Sequence, residues 1–572
     1  MSIVPRLVPW IAAAAMVPVV LGAPLAGCGG ASIVAPRPDG GAAATTGTGG
    51  VTGTGGTGGG GGTGGGDAGP PVVYPACQGP TPMGAPFSTA ASGTTPRDLA
   101  GDFTLPTLDG DWKFSTAWTG CDSYVFVDYA SGYAYAEGLW TSSTDLLLKQ
   151  SPPNVHYVFM SFATDPAQAT ADVTKMKTKV DKSLAKRPAA EQSAWKGRFH
   201  YVTKGARTLG NWISDMLTAK GVFAFGIDRF QRLRQIGLLF SPLQGGMAGE
   251  LDYVTHEVTY YNFEWDRQQA LDAEKSPTVL PVLTQETKTF DVDVTLPDAA
   301  TMAGFDTLEL DLSLYCAGHD EKSCGAWDYI ANLFLCDLAD DTKCSTELGR
   351  WITAYGREGR WVTDVSPMLA LLKDGGKRRF HLNPANSYVV DLALRFSHRG
   401  KGARPTDAQY LFSGGAFNAT YNSAYAPVTF NVPADVKKVE IAVLATGHGW
   451  GVEAANCAEF CNVDHHFTVN GHDHVADHPE AGTNDGCLKQ IGSGAVPDQY
   501  GTWPIGRDGW CPGLDVKPWV IDVTQDVTIG GPNTVTYQGL MQGMTYTPMP
   551  GDPNSGGFGA NINMSSWLVL SR

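Results

Sequence analysis

The chain has 572 residues, of which 17% are charged, and its 57 acidic against 41 basic side chains give a formal net charge of -16. That length exceeds what one core can bury and predicts about three or four domains. The acidic balance argues against nucleic acid or an anionic membrane surface as partner, since both select basic patches, and eleven cysteines point to an oxidising compartment.

At the N-terminus, Arg6 precedes an apolar run from Leu7 to Leu21 that is short for a membrane span. Leu25-Ala26-Gly27-Cys28 follows, and the whole resembles a bacterial lipoprotein signal. Residues 1–27 are accordingly read as a signal peptide removed before Cys28, which then carries the lipid. The resemblance implies an exported bacterial lipoprotein, anchored by Cys28 in the outer membrane or at the cell surface, on its periplasmic or extracellular side. Setting Cys28 aside from the eleven leaves ten cysteines, an even number suited to five disulfides. Residues 28–72, almost wholly Gly and Thr from Ala42 to Gly69, hold too few apolar side chains to fold and are read as a flexible tether.

Residues 73–275 change character. Apolar strands are expected at Tyr124–Val127, Val155–Phe162 and Phe223–Asp228, with a polar helix from Ala167 to Lys186 between the last two. Strands alternating with helices predict an α/β layer with a mainly parallel sheet. This order, opened by Asp102-Phe103-Thr104-Leu105-Pro106, resembles the thioredoxin-like and peroxiredoxin superfamily. The loop after the first apolar strand, Asp128 to Tyr133, contains no cysteine, so no Cys-x-x-Cys nucleophile exists there. Cys77 and Cys121 are read as a structural disulfide, and the unit as a scaffold or partner-binding module.

From Gln285 the pattern turns to period two. Phe290, Val292, Val294 and Leu296 alternate with polar residues, as do Leu308, Leu310, Leu312 and Leu314. Tyr388 to Phe396, Val439 to Ala445 and Trp567 to Leu570 read as further strands, each wet on one face. One short helix is predicted with Ser366 as N-cap and Pro367 at its first position. Many short strands with Gly/Pro turns predict two antiparallel β jelly rolls, residues 285–405 and 406–572, divided near Ser397–Asp407.

Cysteines punctuate these loops. Cys457 and Cys461 enclose Glu459, and so small a ring presents its carboxylate in one direction. Cys316 and Cys324 bracket a polar loop running into Trp327-Asp328-Tyr329, and Cys487 and Cys511 enclose one that ends in Arg507-Asp508-Gly509-Trp510. Near-neighbour pairing across a turn or loop predicts the disulfides Cys77–Cys121, Cys316–Cys324, Cys336–Cys344, Cys457–Cys461 and Cys487–Cys511.

These motifs, with Gly349-Arg350-Trp351-Ile352-Thr353, resemble the peptide-N-glycosidase F family, bacterial amidases that cut the sugar–asparagine bond of N-linked glycans. The resemblance runs from Gln285 to the C-terminus and implies paired jelly rolls, no cofactor and no metal, and N-glycosylated proteins or glycopeptides as partners of a monomer. It implies Asp328 as the main catalytic carboxylate and Glu459 as the second. Arg507 lies in the same cleft, and Trp327, Phe460 and Trp510 stack against sugar. The family's further glutamate falls at Asn383. Tyr329 stands where the best-known member has arginine, and His448 and Trp450 match only with aromatic and histidine exchanged.

Two other chemistries compete. His465, His466, His472, His474 and His478 lie in one short stretch with Asp464, Asp473 and Asp477, a density that suits zinc or copper. Copper-dependent monooxygenases share a paired jelly-roll architecture. Adjacent His465 and His466 on a strand point to opposite faces, however, and Gly471-His472-Asp473-His474 reads as a hairpin turn. A glycan-binding lipoprotein without activity is the third reading, favoured if Asn383 marks a degenerate site.

Overall fold

The structure, a computed structural model, describes residues 84–220, 222–237, 251, 253–288, 290–385, 387–551 and 556–572. Cys28, the Gly/Thr tether and Cys77 of the expected Cys77–Cys121 pair lie outside the described residues.

The first layered unit is a mixed five-stranded sheet. Phe199–Tyr201, Val155–Ser161 and Ser123–Tyr129 run parallel, and Ala224–Ile227 with Leu233–Gln235 completes the sheet antiparallel. Its central strands are apolar at nearly every position because both faces are covered. Val125, Val127, Tyr157 and Phe159 share a core with Val173 and Met176 of helix Pro166–Leu184. Tyr124, Phe126, Val158 and Met160 share the other with Ile213 and Leu217 of helix Trp212–Lys220. Asp165 caps the longer of the two, accepting from the Ala167 N–H, with Pro166 in the first turn. Helix Tyr253–Ala273 then leaves the layer. Val254 and Val258 close its core, while Tyr260 and Phe263 pack into the core of the next unit.

That next unit is a sandwich of two antiparallel sheets. One orders Gly359–Asp364, Thr307–Tyr315, Val389–Ser397 and Thr278–Glu286; the other orders Leu514–Val516, Cys344–Ile352, Ile330–Cys336, Gly375–Asn383 and Asp291–Asp298. Leu308, Leu310, Leu312 and Leu314 all enter the core, as the alternation predicts. A second sandwich pairs the sheet Pro405–Ala416, Phe558–Ser571, Lys438–Trp450, Trp519–Asp522 with the sheet Val428–Asn431, Pro532–Met541, Val463–Val469, His472–Ala476.

Two expectations change. The division near residue 405 separates consecutive strands but not the sheets, because Leu514–Val516 returns to pair with Cys344–Ile352 of the first sandwich. The short helix starts as a 3-10 turn over Ser366–Met368, with Val365 and not Ser366 at the N-cap. Asp364 accepts from both the Ser366 N–H and its hydroxyl, so the carboxylate satisfies the first free N–H of the turn and ties the serine side chain back, away from a capping role.

Candidate active site

The loop bearing Asp328 is fixed from two sides. The Cys316–Cys324 disulfide closes the segment leading into it from strand Thr307–Tyr315. Thr353 then clamps the residues around the carboxylate: its hydroxyl accepts from the Tyr329 N–H at 2.9 Å and donates to the Trp327 carbonyl at 2.7 Å. The Thr353 N–H adds a bond to the Tyr329 carbonyl at 2.9 Å. Held this way, Asp328 accepts at Oδ2 from the Tyr355 hydroxyl at 2.6 Å.

Glu459 sits on the other sandwich, in the ring closed by Cys457 and Cys461. The ring lies against strand Lys438–Trp450 where only glycine fits. A Cβ on Gly447 would fall 2.4 Å from the Ala458 carbonyl oxygen, and one on Gly449 would fall 2.4 Å from that of Cys457. This close approach lets the Gly449 N–H reach Glu459 Oε2 at 3.3 Å, while the Asp508 N–H holds the Glu459 carbonyl at 2.9 Å.

Arg507 lies between the two carboxylates, its side chain fully enclosed. Nη2 is 3.6 Å from Asp328 Oδ2 and Nε is 3.5 Å from Glu459 Oε1. Its remaining donors are anchored to protein: Nη1 to the Thr502 and Ile505 carbonyls, Nη2 to the Thr502 hydroxyl. The guanidinium also stacks over Phe460 and Trp510, 5.1 Å from each ring centre. It serves as both structural strut and charge partner.

Burial is the largest influence on both acids. It pushes Glu459 up to about 7, against the opposing pull of Arg507 and the Gly449 N–H, with Asp328 pushing the same way as burial. Asp328 also rises above the ordinary carboxylate range through burial, although the Tyr355 hydroxyl and Arg507 oppose the shift. Burial thus raises both acids that flank Arg507, and Glu459 reaches about 7.

The aromatic residues divide. Trp327, Trp450 and Tyr329 are 60%, 50% and 48% exposed, so their rings are available to a sugar face. Trp510 corrects the expectation placed on it: it is 6% exposed, packed with Ile352, Leu444 and Val516, and its indole N–H donates to the Gly447 carbonyl at 2.7 Å. It backs the cleft and offers no open face. Phe460 is half-buried beneath Arg507. His448 stacks on Trp510 and bonds Thr446 Oγ1 at 2.8 Å; burial, helped by Arg350 and Arg507, lowers its pKa to about 3. Asn383 ends its strand opposite Asn332, exposed, its side-chain oxygen accepting from the Ala385 N–H.

The structure places Cys316–Cys324, Cys336–Cys344, Cys457–Cys461 and Cys487–Cys511 at disulfide distance. The histidine stretch is a hairpin, turned at Asn470 and Gly471 with positive φ. His465 is buried against the Tyr537 hydroxyl, while His466 pairs with Asp473 and His474 with Asp526. Among the described residues no group of three or more metal-ligating side chains converges.

Sequence reading passed over Tyr355, Thr353 and Arg350. Arg350 grips Glu347 through Nε and Nη2 and reaches the second sandwich through Thr446 Oγ1 and the Asn563 carbonyl, each at 2.7 Å. For Arg350 and Thr353 the signal was the motif Gly349-Arg350-Trp351-Ile352-Thr353, which marks the strand without saying which side chains act; Tyr355 lies outside it.

The family profile "Peptide-N-glycosidase F, C terminal" matches residues 416–569. A curated relative, peptide-N(4)-(N-acetyl-beta-D-glucosaminyl)asparagine amidase F of Elizabethkingia miricola, is 25% identical over 258 residues, 40% of this chain and 67% of that protein. Among solved structures, PNGase F of Flavobacterium meningosepticum, described as a glycosylasparaginase, is 17% identical with a TM-score of 0.38, covering 52% of this chain and 96% of its own. PNGF-II in a C2 crystal form is 16% identical with a TM-score of 0.38, covering 57% and 69%. By the family profile over residues 416–569 and the curated relative, the C-terminal half of the chain is similar to the peptide-N-glycosidase F family.

Proposed function

We propose that this chain is an amidase that hydrolyses the glycosylamide bond between an N-linked glycan and asparagine. The observation carrying this reading is the pair Asp328 and Glu459, brought from two sandwiches onto one buried arginine by disulfide-closed loops. Asp328 takes a proton from water as the oxygen attacks the carboxamide carbon. Glu459, protonated up to about 7, donates to the leaving amine as the carbon–nitrogen bond breaks. Asparagine becomes aspartate, and the sugar leaves as a glycosylamine. Arg507 keeps positive charge beside both acids while negative charge develops on the amide oxygen. Trp327, Tyr329 and Trp450 supply the exposed rings for the first sugars.

The rest of the chain fits the same reading. The two sandwiches are the family's paired jelly rolls, and the α/β unit is thioredoxin-like, with three parallel strands and an antiparallel hairpin between helices. A lipid at Cys28 would tether the monomer to the membrane, with the Gly/Thr segment giving it reach.

Incubation of the full chain with a denatured N-glycoprotein tests the assignment. Glycan release with conversion of Asn to Asp, seen by mass spectrometry, is the expected result. Cleavage between the two GlcNAc units would make the protein a different glycosidase, and no release would remove the assignment.

A further inference from the structure

Helix Tyr253–Ala273 belongs to the α/β unit, where Asn262 bonds Asn154 and Glu264 bonds Arg234, yet several of its polar side chains reach out to the sandwich that carries Asp328. The Tyr253 hydroxyl donates to the Asp498 carbonyl at 2.9 Å, and His256 Nδ1 meets Asp498 Oδ1 at 2.9 Å. Glu257, wholly buried, accepts from Arg357 Nη1 at 2.5 Å. Arg357 in turn donates to the Pro497 carbonyl and, through Nε, to Glu321 inside the Cys316–Cys324 loop at 3.0 Å. Two residues after Pro497, Gln499 is oriented by donating to the Val496 and Pro512 carbonyls. Its oxygen accepts from the Tyr355 N–H at 2.8 Å, and the Tyr355 hydroxyl holds Asp328. A parallel grip falls on the disulfide loop itself. Gln235 donates to the His319 carbonyl at 2.8 Å, and Arg97 holds Glu358, which accepts from His319 and the Cys316 N–H.

We propose that the α/β unit is a working part of the amidase site: Glu257 and Tyr253 position the Tyr355–Asp328 pair through Arg357 and the Pro497-Asp498-Gln499 segment. Each side chain in this buried chain makes at least one hydrogen bond, and such networks rigidify what they connect to the extent that they are satisfied. The Tyr355 hydroxyl is the hydrogen bond that aims the Asp328 carboxylate, and small displacements of a reacting group are costly in rate. Glu257 faces Arg357, Asp498 and Arg234; burial raises it to about 7, so its pairing is sensitive to a change of charge. Glu257 and Tyr253 touch no substrate and act as positioning residues.

The proposal rests on the amidase reading, and the test separates the two. In the full chain, Glu257→Gln is expected to lower kcat about tenfold while KM changes less than about twofold. In a Tyr355→Phe background the same substitution should cost nothing further, because both act through one hydroxyl. An equal loss in both backgrounds, or an unchanged kcat per folded molecule, overturns the proposal. Tyr253→Phe removes one hydroxyl and serves the same test should Glu257→Gln not fold. A carboxyl NMR titration of Asp328, assigned with Asp328→Asn, supplies a readout independent of turnover. Glu257→Gln and Tyr253→Phe should move its midpoint in the direction that Tyr355→Phe moves it; an unmoved midpoint overturns the proposal. Wild-type chain that releases no glycan removes the amidase reading, and the titration still decides the network.

Discussion

Burial raises both Asp328 and Glu459 above the ordinary carboxylate range, and the proposed mechanism gives them opposite duties. Asp328→Asn keeps shape and hydrogen bonding but cannot take a proton. Release from a glycopeptide should fall at least a hundred- to ten-thousand-fold, the range of a general base, with glycan affinity retained by calorimetry. The rate should follow a bell in pH, its acid limb set by Asp328 above the usual carboxylate range and its alkaline limb by Glu459 near 7. Glu459 also carries a stability signature. Its folded pKa lies above the ordinary glutamate value of 4.5, so the folded chain binds the proton more tightly, and the resulting stability is present below 4.5 and lost as pH rises through about 7. Glu459→Gln should therefore raise the melting temperature at pH 8 but not at pH 4, a difference on the order of 3 kcal/mol in unfolding free energy. A melting temperature lowered at pH 8 would contradict that sign. Arg507 is anchored by carbonyls as well as carboxylates, so Arg507→Lys should lose the fork and reduce turnover strongly.

Strands and loops set how closely these residues approach. Gly447→Ala places a methyl 2.4 Å from a backbone carbonyl and 2.5 Å from the buried Asp508 carboxylate, so the strand and the Cys457–Cys461 loop must separate. Overpacking of this kind costs about 1–3 kcal/mol, and denaturant unfolding should show it together with lost turnover. This strand and its companions were legible in sequence because one face is buried: Leu308 to Leu314 and Val390 to Phe396 spell the period-two pattern outright. The stapled loops were legible from cysteine spacing, and with them Asp328, Glu459 and Arg507. Three-residue strands such as Phe199–Tyr201 and Leu514–Val516 are too short to show any period, and their place depends on distant partners. Tyr355 was missed because an aromatic residue between apolar segments reads as core, and only its hydroxyl reveals the role. Trp510 misled in the opposite direction, since the motif that names it does not say which way the ring faces.

Across the whole molecule, the α/β unit and the first sandwich share a boundary lined by paired charges, with a cavity of about 570 Å³ between Arg97, Glu264 and Glu358. Removing the unit would strip Tyr260 from the sandwich core and leave Arg357 with half its carboxylate partners. A chain beginning at residue 276 should melt at lower temperature than the full chain and release glycan more slowly, both measurable on purified protein. The return of Leu514–Val516 to the first sandwich has a different consequence. Its partner strand ends at Ile352, and every residue from 353 to 513 must be made before the two can meet. A ribosome delivering the chain from its N-terminus therefore leaves one sheet edge of the first sandwich open while the second is still being synthesised. That open edge is where a nascent chain is most exposed to pairing with a neighbour, and where a chaperone would have most to shield.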